Sequence, residues 1–440
     1  MATVGKKMAT VDTSFKKKDA DMCHSPTSST STKTDVADYE FAKSSLDSLK
    51  TMTDKVPGVN VPTPKEVHDA IPAHCKKRSA AISFAYLARD TVFLWAAVEV
   101  FRRLHPLLVG SSWLLAVPFW TLFAVVQGTI ATGPWVLGHE CGHGAFSESQ
   151  DLNDVVGFVV HTLLLVPYFS WQYSHAKHHK FTNHLTWGET HVPATKKGAS
   201  KLAKMASAIG DDAFVVYDAI THLLFGWPMY LLVNATGGRV DWKGNRLSKG
   251  AQKSHFVGNN NAIYPPDFRW KVDVSAAGVL LVVAGLAIWG AKCGWTEPLK
   301  WYIGPYLVVN FWLVLYTWLQ HTHPDIPHYG EDSFTWLRGA LSTVDRPYPW
   351  IVDQLHHHIG TTHVLHHVDF KVPCYHAQEA TRALRAFLEP RGMYRYTDKS
   401  IFEGMVEAAT HCHYVEDITG VQYLKGLTKM AQKQQAQKDQ

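Results

Sequence analysis

The sequence predicts an all-α fold: a polytopic membrane protein with four transmembrane helices, interfacial helices and a cytosolic helical cap that holds a di-metal site. Three observations predict this fold. Hydrophobic residues make up 46% of the 440-residue chain, and its 16 Trp and 17 Tyr are typical of a membrane interface. Four apolar segments, each approaching the about 20 residues that cross a bilayer, span residues 84–104, 113–133, 274–291 and 302–320. Eight histidines fall into three short clusters with helical spacing.

Each histidine cluster places its imidazoles on one face of a helix, because residues three and four apart share a face. The first cluster lies in the stretch 139–143, the second in 175–179 and the third in 363–367. The eight residues are His139, His143, His175, His178, His179, His363, His366 and His367. One zinc ion takes only about four ligands. The eight imidazoles therefore predict two transition-metal ions, and imidazole suits iron, copper, nickel and zinc alike.

The first cluster also has a second interpretation. Its sequence, His139-Glu140-Cys141-Gly142-His143, fits the zinc metalloprotease pattern H-E-x-x-H, in which Glu140 would be the general base. A membrane zinc protease would need one further ligand and would leave the second and third clusters unexplained. Any one cluster could also serve only to pack or cap its helix, but three such clusters in one chain rarely arise by chance.

The three clusters also constrain the topology. If the second and third share a site, an even number of membrane crossings separates them. Three apolar segments lie between these clusters, and one of them, 213–234, contains Asp218 and Pro228. We therefore assign 213–234 to the interface, and the shorter segment 155–169 to an interfacial helix as well. The loop 237–273 carries seven Lys and Arg residues, which predicts a cytosolic metal site by the positive-inside rule.

The three clusters, with a histidine leading the third, resemble those of the membrane fatty acyl desaturase family. Further motifs resemble its Δ12/ω3 branch. They are AIPAHC at 70–75, HTLLLVPYFSW at 161–171, LQHTHP at 319–324, WLRGALSTVDR at 336–346 and HHIGTTH at 357–363. The resemblance covers roughly residues 60 to 395. It implies a non-haem di-iron oxidoreductase that uses O₂ to insert a double bond into an acyl chain, with the eight cluster histidines as iron ligands. It also implies a ninth ligand, His321, with His323 as the alternative.

The resemblance implies a particular reaction and particular partners. The expected product is a cis Δ12 double bond in an 18-carbon chain, from oleoyl to linoleoyl. An ω3 (Δ15) desaturase, a bifunctional Δ12/ω3 enzyme, or an acyl hydroxylase or acetylenase would share the same clusters. The substrate would be a phospholipid acyl chain or an acyl-CoA, and electrons would come from NADH through cytochrome b5 reductase and cytochrome b5. The sequence has no His-Pro-Gly-Gly haem motif, so a separate cytochrome is expected. The expected location is the endoplasmic reticulum membrane, with the active site facing the cytosol.

Composition divides the chain into three parts. Residues 1–60 are polar and rich in Ser and Thr, which predicts a disordered N-terminal tail. Residues 61–395 form the predicted desaturase domain, and 396–440 a C-terminal cytosolic tail. The net charge of +5 favours contact with an anionic membrane face or an acidic protein partner, but it is too weak and too dispersed to indicate nucleic acid. The six cysteines form no C-x-x-C pair, so we expect reduced thiols.

Overall fold

The computed structural model describes residues 61–429 except 111, together with 432, 433 and 437. The predicted N-terminal tail, 1–60, lies outside the described residues. Helices dominate the described part of the chain, which confirms the all-α class. They are α1 (Pro64–Asp69), α2 (Ala80–Leu108), α3 (Trp113–His143), α4 (Gln150–Leu163), α5 (Tyr168–Lys180), α6 (Ser200–Ile209), α7 (Asp211–Val233), α8 (Arg269–Cys293), α9 (Thr296–His321), α10 (Trp336–Ala340), α11 (Trp350–Leu355), α12 (His363–Val368), α13 (Cys374–Leu388) and α14 (Ile401–His411). The short strands are β1 (Ala194–Thr195), β2 (Pro327–Tyr329), β3 (Tyr414–Val415) and β4 (Val421–Tyr423).

Within the described residues, five helices are long and apolar enough to cross a membrane: α2, α3, α7, α8 and α9. Four of them contain the segments that the sequence predicts as spans. The fifth, α7, covers the segment 213–234, for which the sequence predicts an interfacial position. Its length and composition also suit a crossing. The membrane character is therefore clear, whereas the count of four spans stays a prediction.

The sequence predicts a single interfacial helix over 155–169. In the structure, this segment contains the end of α4, a turn and the start of α5. The axes of α4 and α5 differ by 107°. The turn contains Leu165, whose φ is 57°, and Pro167 follows it. The helical conformation is disfavoured for the residue before a proline, which favours an end of α4 before Val166. This bend turns α5, which carries the second histidine cluster, back toward the end of α3.

Residues beyond 395, assigned to a tail from the sequence, contribute to the body of the protein. In α14, Ala408 and Ala409 are buried against Leu315 and Leu319 of α9. Strand β3 pairs in parallel with β1, and β4 pairs antiparallel with β2. The C-terminal segment through β4 therefore helps to hold α9 and the loops around it.

The contact between α3 and α9 brings the first histidine cluster close to the end of α9. It depends on Gly128 of α3, where an added Cβ atom would lie 2.5 Å from the Pro305 carbonyl oxygen and 2.5 Å from Val308 Cβ. Both of those atoms belong to α9. No side chain larger than hydrogen fits this position unless the two helices separate.

We expect the Gly128→Ala variant to lower the free energy of unfolding by about 1–3 kcal/mol, as overpacking does in other cores. Gly285→Ala is the matched control, because nothing lies within 4 Å of an added Cβ on that glycine of α8. The control should be neutral or slightly stabilising, since alanine favours helix. Thermal unfolding of both variants in detergent measures the difference. Equal melting temperatures would contradict the close contact.

Candidate metal centre

Four helix ends supply the histidines of the candidate metal centre. The first cluster lies in the last turn of α3, which ends at Gly144 with a φ of 71°. The second lies on the last two turns of α5, and the third forms most of α12. His321 is the last residue of α9. The position at which each helix ends therefore determines where its imidazoles lie.

The first group of histidines contains members of all three clusters: His139, His143, His175, His179 and His366. One ring nitrogen from each lies within 4.8 Å of those of the others. The Nε2 atom of His139 is 2.9 Å from His175 Nε2 and 3.3 Å from His143 Nε2. The Nε2 atom of His179 is 3.2 Å from His175 Nε2.

The second group contains His178, His321 and His367. His178 Nε2 lies 3.2 Å from His321 Nε2. His363 joins this group, because its Nε2 atom is 3.0 Å from His321 Nε2. The structure thus brings together all eight cluster histidines and His321. Among the described residues, His323 lies outside both groups, with its Nε2 atom 3.2 Å from Glu407 Oε2.

The separations between ring nitrogens fit ligands of shared metal ions. Two nitrogens bound at right angles to one ion, each about 2.1 Å away, would lie about 3.0 Å apart. Five pairs of nitrogens in the two groups are 2.9–3.3 Å apart. Nitrogens facing each other at this distance inside a protein need a cation or shared protons, because buried lone pairs without a partner are costly.

Two histidines show which nitrogen is available for a metal ion. His178 donates its Nδ1 hydrogen to the Glu189 carbonyl oxygen at 2.8 Å, which leaves the lone pair on Nε2. The Thr182 hydroxyl donates to the His178 carbonyl at 2.9 Å, so it accepts from His367 Nδ1 at 3.1 Å. Buried His367 Nε2 then has no hydrogen-bond partner among the described residues. Hydrogen bonds to the other ring nitrogen orient metal ligands in this way.

The imidazoles of α12 are neutral at neutral pH. Burial and, to a smaller extent, the nearby His178 lower the pKa of His366 to about 3. Burial, together with the neighbouring histidines, holds the pKa values of His363 and His367 well below the usual range. Neutral imidazole is the form that binds metal ions, so these rings could bind an ion in the protonation state that burial favours.

Two buried carboxylates position the third cluster. Asp345 accepts from the backbone N–H of Val364 at 2.9 Å and from the hydroxyl of Tyr394. Burial raises the pKa of Asp345 to about 7. Asp90 of α2 lies 2.8 Å from His357 Nε2, just before the cluster. Sequence reasoning missed both carboxylates, although Asp345 lies inside a quoted motif and Asp90 is an acid within a predicted span.

Glu140 contributes to packing between helices. Its Oε1 atom accepts from the backbone N–H of Cys374 at 2.6 Å, so the carboxylate binds the first residue of α13. The zinc-protease interpretation requires this carboxylate as a base beside a metal-bound water. In the structure, it joins the first cluster to the helix that follows the third.

A largely apolar cavity of about 290 Å³ leads to both groups. Its walls come from α3, α5, α7 and α9, together with loop residues and His363 of α12. Five of the nine histidines line it: His139, His175, His178, His321 and His363. The apolar walls include Trp135, Val136, Phe225, Trp227, Leu313 and Val314.

Membrane-length helices, an apolar cavity and two histidine groups that could bind metal are typical of a membrane enzyme that oxidises a long apolar substrate. Comparison with known proteins identifies the family. Residues 111–399 match the family described as fatty acid desaturase. The chain therefore belongs to the fatty acid desaturase family and is an oxidoreductase that acts on fatty acyl lipid.

Similar proteins support the assignment along most of the chain. The Delta(12) fatty acid desaturase of Mortierella alpina is 37% identical over 380 residues, which cover 82% of this chain and 90% of the relative. The Delta(12)-fatty-acid desaturase of Arabidopsis thaliana is 38% identical over 374 residues, 85% of this chain and 92% of the relative. An oleate hydroxylase of Claviceps purpurea is 36% identical over 371 residues, 80% and 77% of the two chains. The expected family is confirmed, and the zinc-protease alternative is set aside.

His321 and His323 make a matched pair for testing the second group. Replacing His321 by Ala removes an imidazole whose Nε2 atom faces two others. We expect purified His321→Ala protein to hold about one metal ion fewer per chain, because ligand loss weakens a site strongly. His323→Ala should keep the wild-type metal content, since His323 faces Glu407. Metal analysis after expression with added iron decides, and equal losses in both variants would contradict the grouping.

Proposed function

We propose that this desaturase forms the cis Δ12 double bond that converts an oleoyl chain into a linoleoyl chain. The single observation that carries the proposal is the apolar cavity whose walls include five of the nine histidines. A cavity of this kind holds an acyl chain by excluding water from its methylene groups. The relatives named as Delta(12) desaturases support the position of the bond.

We further propose that the nine histidines hold two iron ions, five in the first group and four in the second. Two bound irons, with O₂ as co-substrate, would supply the oxidising power that removes two hydrogens from unactivated methylene carbons, which no acid–base side chain can do. The ring nitrogens of the histidines would bind the ions, and neighbouring groups hold the rings in place. Glu189 and Thr182 fix two of the rings through their Nδ1 atoms. The cavity walls orient the acyl chain beside the histidines and keep water from its methylene groups.

We propose a four-span topology, which the meeting of the clusters supports. Because the ends of α3, α5 and α12 meet at one site, the chain must cross the membrane an even number of times between any two of them. Three candidate spans, α7, α8 and α9, lie between α5 and α12. We propose that α7 does not cross, since it carries the buried acid Asp218 and the paired His222. The bent pair α4 and α5 likewise returns to its starting side.

We propose the endoplasmic reticulum membrane as the location, with the metal centre in the cytosol. The basic loop 237–273 supports this orientation. We also propose cytochrome b5, reduced from NADH by its reductase, as the electron donor. Exposed lysines of the α6 region, Lys197, Lys201 and Lys204, support docking of an acidic partner. The carrier of the acyl chain would be a phospholipid or coenzyme A.

Expression in a yeast that makes only monounsaturated fatty acids tests the reaction. We expect a new 18:2 acid with a cis double bond at carbon 12, identified by gas chromatography and mass spectrometry. Replacing any one of the eight cluster histidines by Ala should abolish the product, because each removes a proposed ligand, while membrane insertion stays intact. A yeast strain that carries the empty vector is the control for products of the host.

Each other product would indicate a different reaction. Formation of 18:3 from supplied 18:2, without conversion of 18:1, would indicate an ω3 desaturase, and both activities a bifunctional enzyme. A hydroxylated chain would indicate a hydroxylase, similar to the oleate hydroxylase of Claviceps purpurea. An acetylenic chain would indicate an acetylenase. No modified chain, despite stable insertion and bound iron, would overturn the proposal.

The cavity itself is tested by two substitutions on α9. Thr317 lines the cavity, whereas Leu307 is 47% exposed. We expect Thr317→Phe to reduce 18:2 formation at least about tenfold, because an acyl chain displaced by 1 Å reacts far more slowly. Leu307→Phe should leave it unchanged. Both variants should retain wild-type iron, and equal activity in the two would show that the acyl chain binds elsewhere.

A further inference from the structure

A third group of metal-ligating side chains lies apart from the two histidine groups. It consists of His74, Cys75 and Glu379, whose donor atoms all lie within 4.8 Å of one another. His74 Nε2 is the central atom, 2.8 Å from Glu379 Oε1 and 3.5 Å from Cys75 Sγ. Neither the proposed reaction nor its metal centre uses these residues.

The fold holds the three residues in place from two sides. His74 and Cys75 lie in the 3-10 turn Ala73–Lys76, and Glu379 lies on α13. Cys75 is fully buried in a core that includes Val67 of α1 and Leu384 of α13. The side chains of His74 and Glu379 are 55% and 43% exposed. The thiol is thus fixed by packing, while the other two donors leave a path for an ion and a water ligand.

The distances suit a tetrahedral zinc ion. With zinc about 2.0 Å from nitrogen or oxygen and about 2.3 Å from sulfur, tetrahedral geometry separates nitrogen and sulfur by about 3.5 Å, and nitrogen and oxygen by about 3.3 Å. The observed nitrogen–sulfur distance is 3.5 Å. The nitrogen–oxygen distance of 2.8 Å is that of a hydrogen bond, which an ion would replace. Thiolate, imidazole and carboxylate together favour zinc over the hard cations magnesium and calcium.

We propose that His74, Cys75 and Glu379 form a third metal site that binds one Zn²⁺ ion, with water as the fourth ligand. The ion would fasten the turn Ala73–Lys76 to α13. That helix begins at Cys374, whose N–H binds Glu140 of the first cluster. On the other side of the turn, Arg78 donates to the Gly144 carbonyl oxygen at 2.9 Å, just past the same cluster. Zinc would therefore stabilise the cap around the histidine groups without touching the acyl chain.

Cys75 would bind zinc as a thiolate, so binding of the ion would release the thiol proton, which is the usual coupling between metal binding and thiol ionisation. The positive ion would also attract the neighbouring Glu379 carboxylate.

Cobalt(II) provides a selective probe, because a cobalt–thiolate bond gives a near-ultraviolet charge-transfer band that cobalt–imidazole bonds do not give. The iron-loaded, full-length protein in detergent is titrated with Co²⁺ under reducing, oxygen-free conditions. We expect one equivalent of cobalt to produce the thiolate band and Zn²⁺ to displace it. The iron content should stay constant throughout, so the outcome is independent of the proposed reaction.

Variants show which residues bind the ion. The band should disappear in Cys75→Ser and persist in Cys293→Ser, a control at an exposed cysteine at the end of α8. His74→Ala and Glu379→Gln change partly exposed side chains and should weaken cobalt binding at least about tenfold. They keep the test decisive if Cys75→Ser fails to fold. A wild-type protein without the thiolate band, a band that survives Cys75→Ser, or affinities unchanged in both exposed variants would overturn the proposal.

Discussion

The constraint on which the rest of the structure depends is the meeting of nine imidazoles, nitrogen to nitrogen, in a largely buried space. Neutral rings at about 3 Å repel through their lone pairs unless protons or a cation lie between them. Each buried polar atom without a partner costs about 1–3 kcal/mol. The surrounding protein must therefore hold these rings together against their own repulsion. The close approach of α3 and α9 at Gly128, the bend before α5 and the buried carboxylates Asp90 and Asp345 all serve this purpose.

The division of the clusters between the two groups explains their spacing. His175 and His179, four residues apart, face the first group, whereas His178 faces the second. In the third cluster, His366 faces the first group, and His363 and His367 face the second. A single helix can serve two sites in this way because residues one apart point about 100° away from each other. The second and third clusters thus supply histidines to both groups and connect them, whereas His139 and His143 of the first cluster both belong to the first group.

Much of this was predictable from local pattern, because helical spacing alone places His139 with His143 and His175 with His179. The motif around His321 added the ninth member. Sequence reasoning could not predict which group each ring joins, since that depends on the angle between helices distant in the chain. It also treated 155–169 as one helix, although Pro167 is a visible reason for the break. The packing of residues beyond 395 was missed because short strands and a small helix such as α14 carry little periodic signal.

The position of α14 has a consequence for how the protein is made. Its alanines lie against α9, and Glu407 holds His323, two residues beyond the end of that helix. Strand β4 then pairs with β2, which follows α9 in the chain. All of these partners are synthesised earlier than α14 and β4. Until the ribosome has released the last of these segments, one side of α9 lacks its cover. The membrane helices are therefore made before this side of α9 is covered, and a nascent chain that stalls before residue 401 would present an exposed side of α9 to the quality-control machinery of the cell.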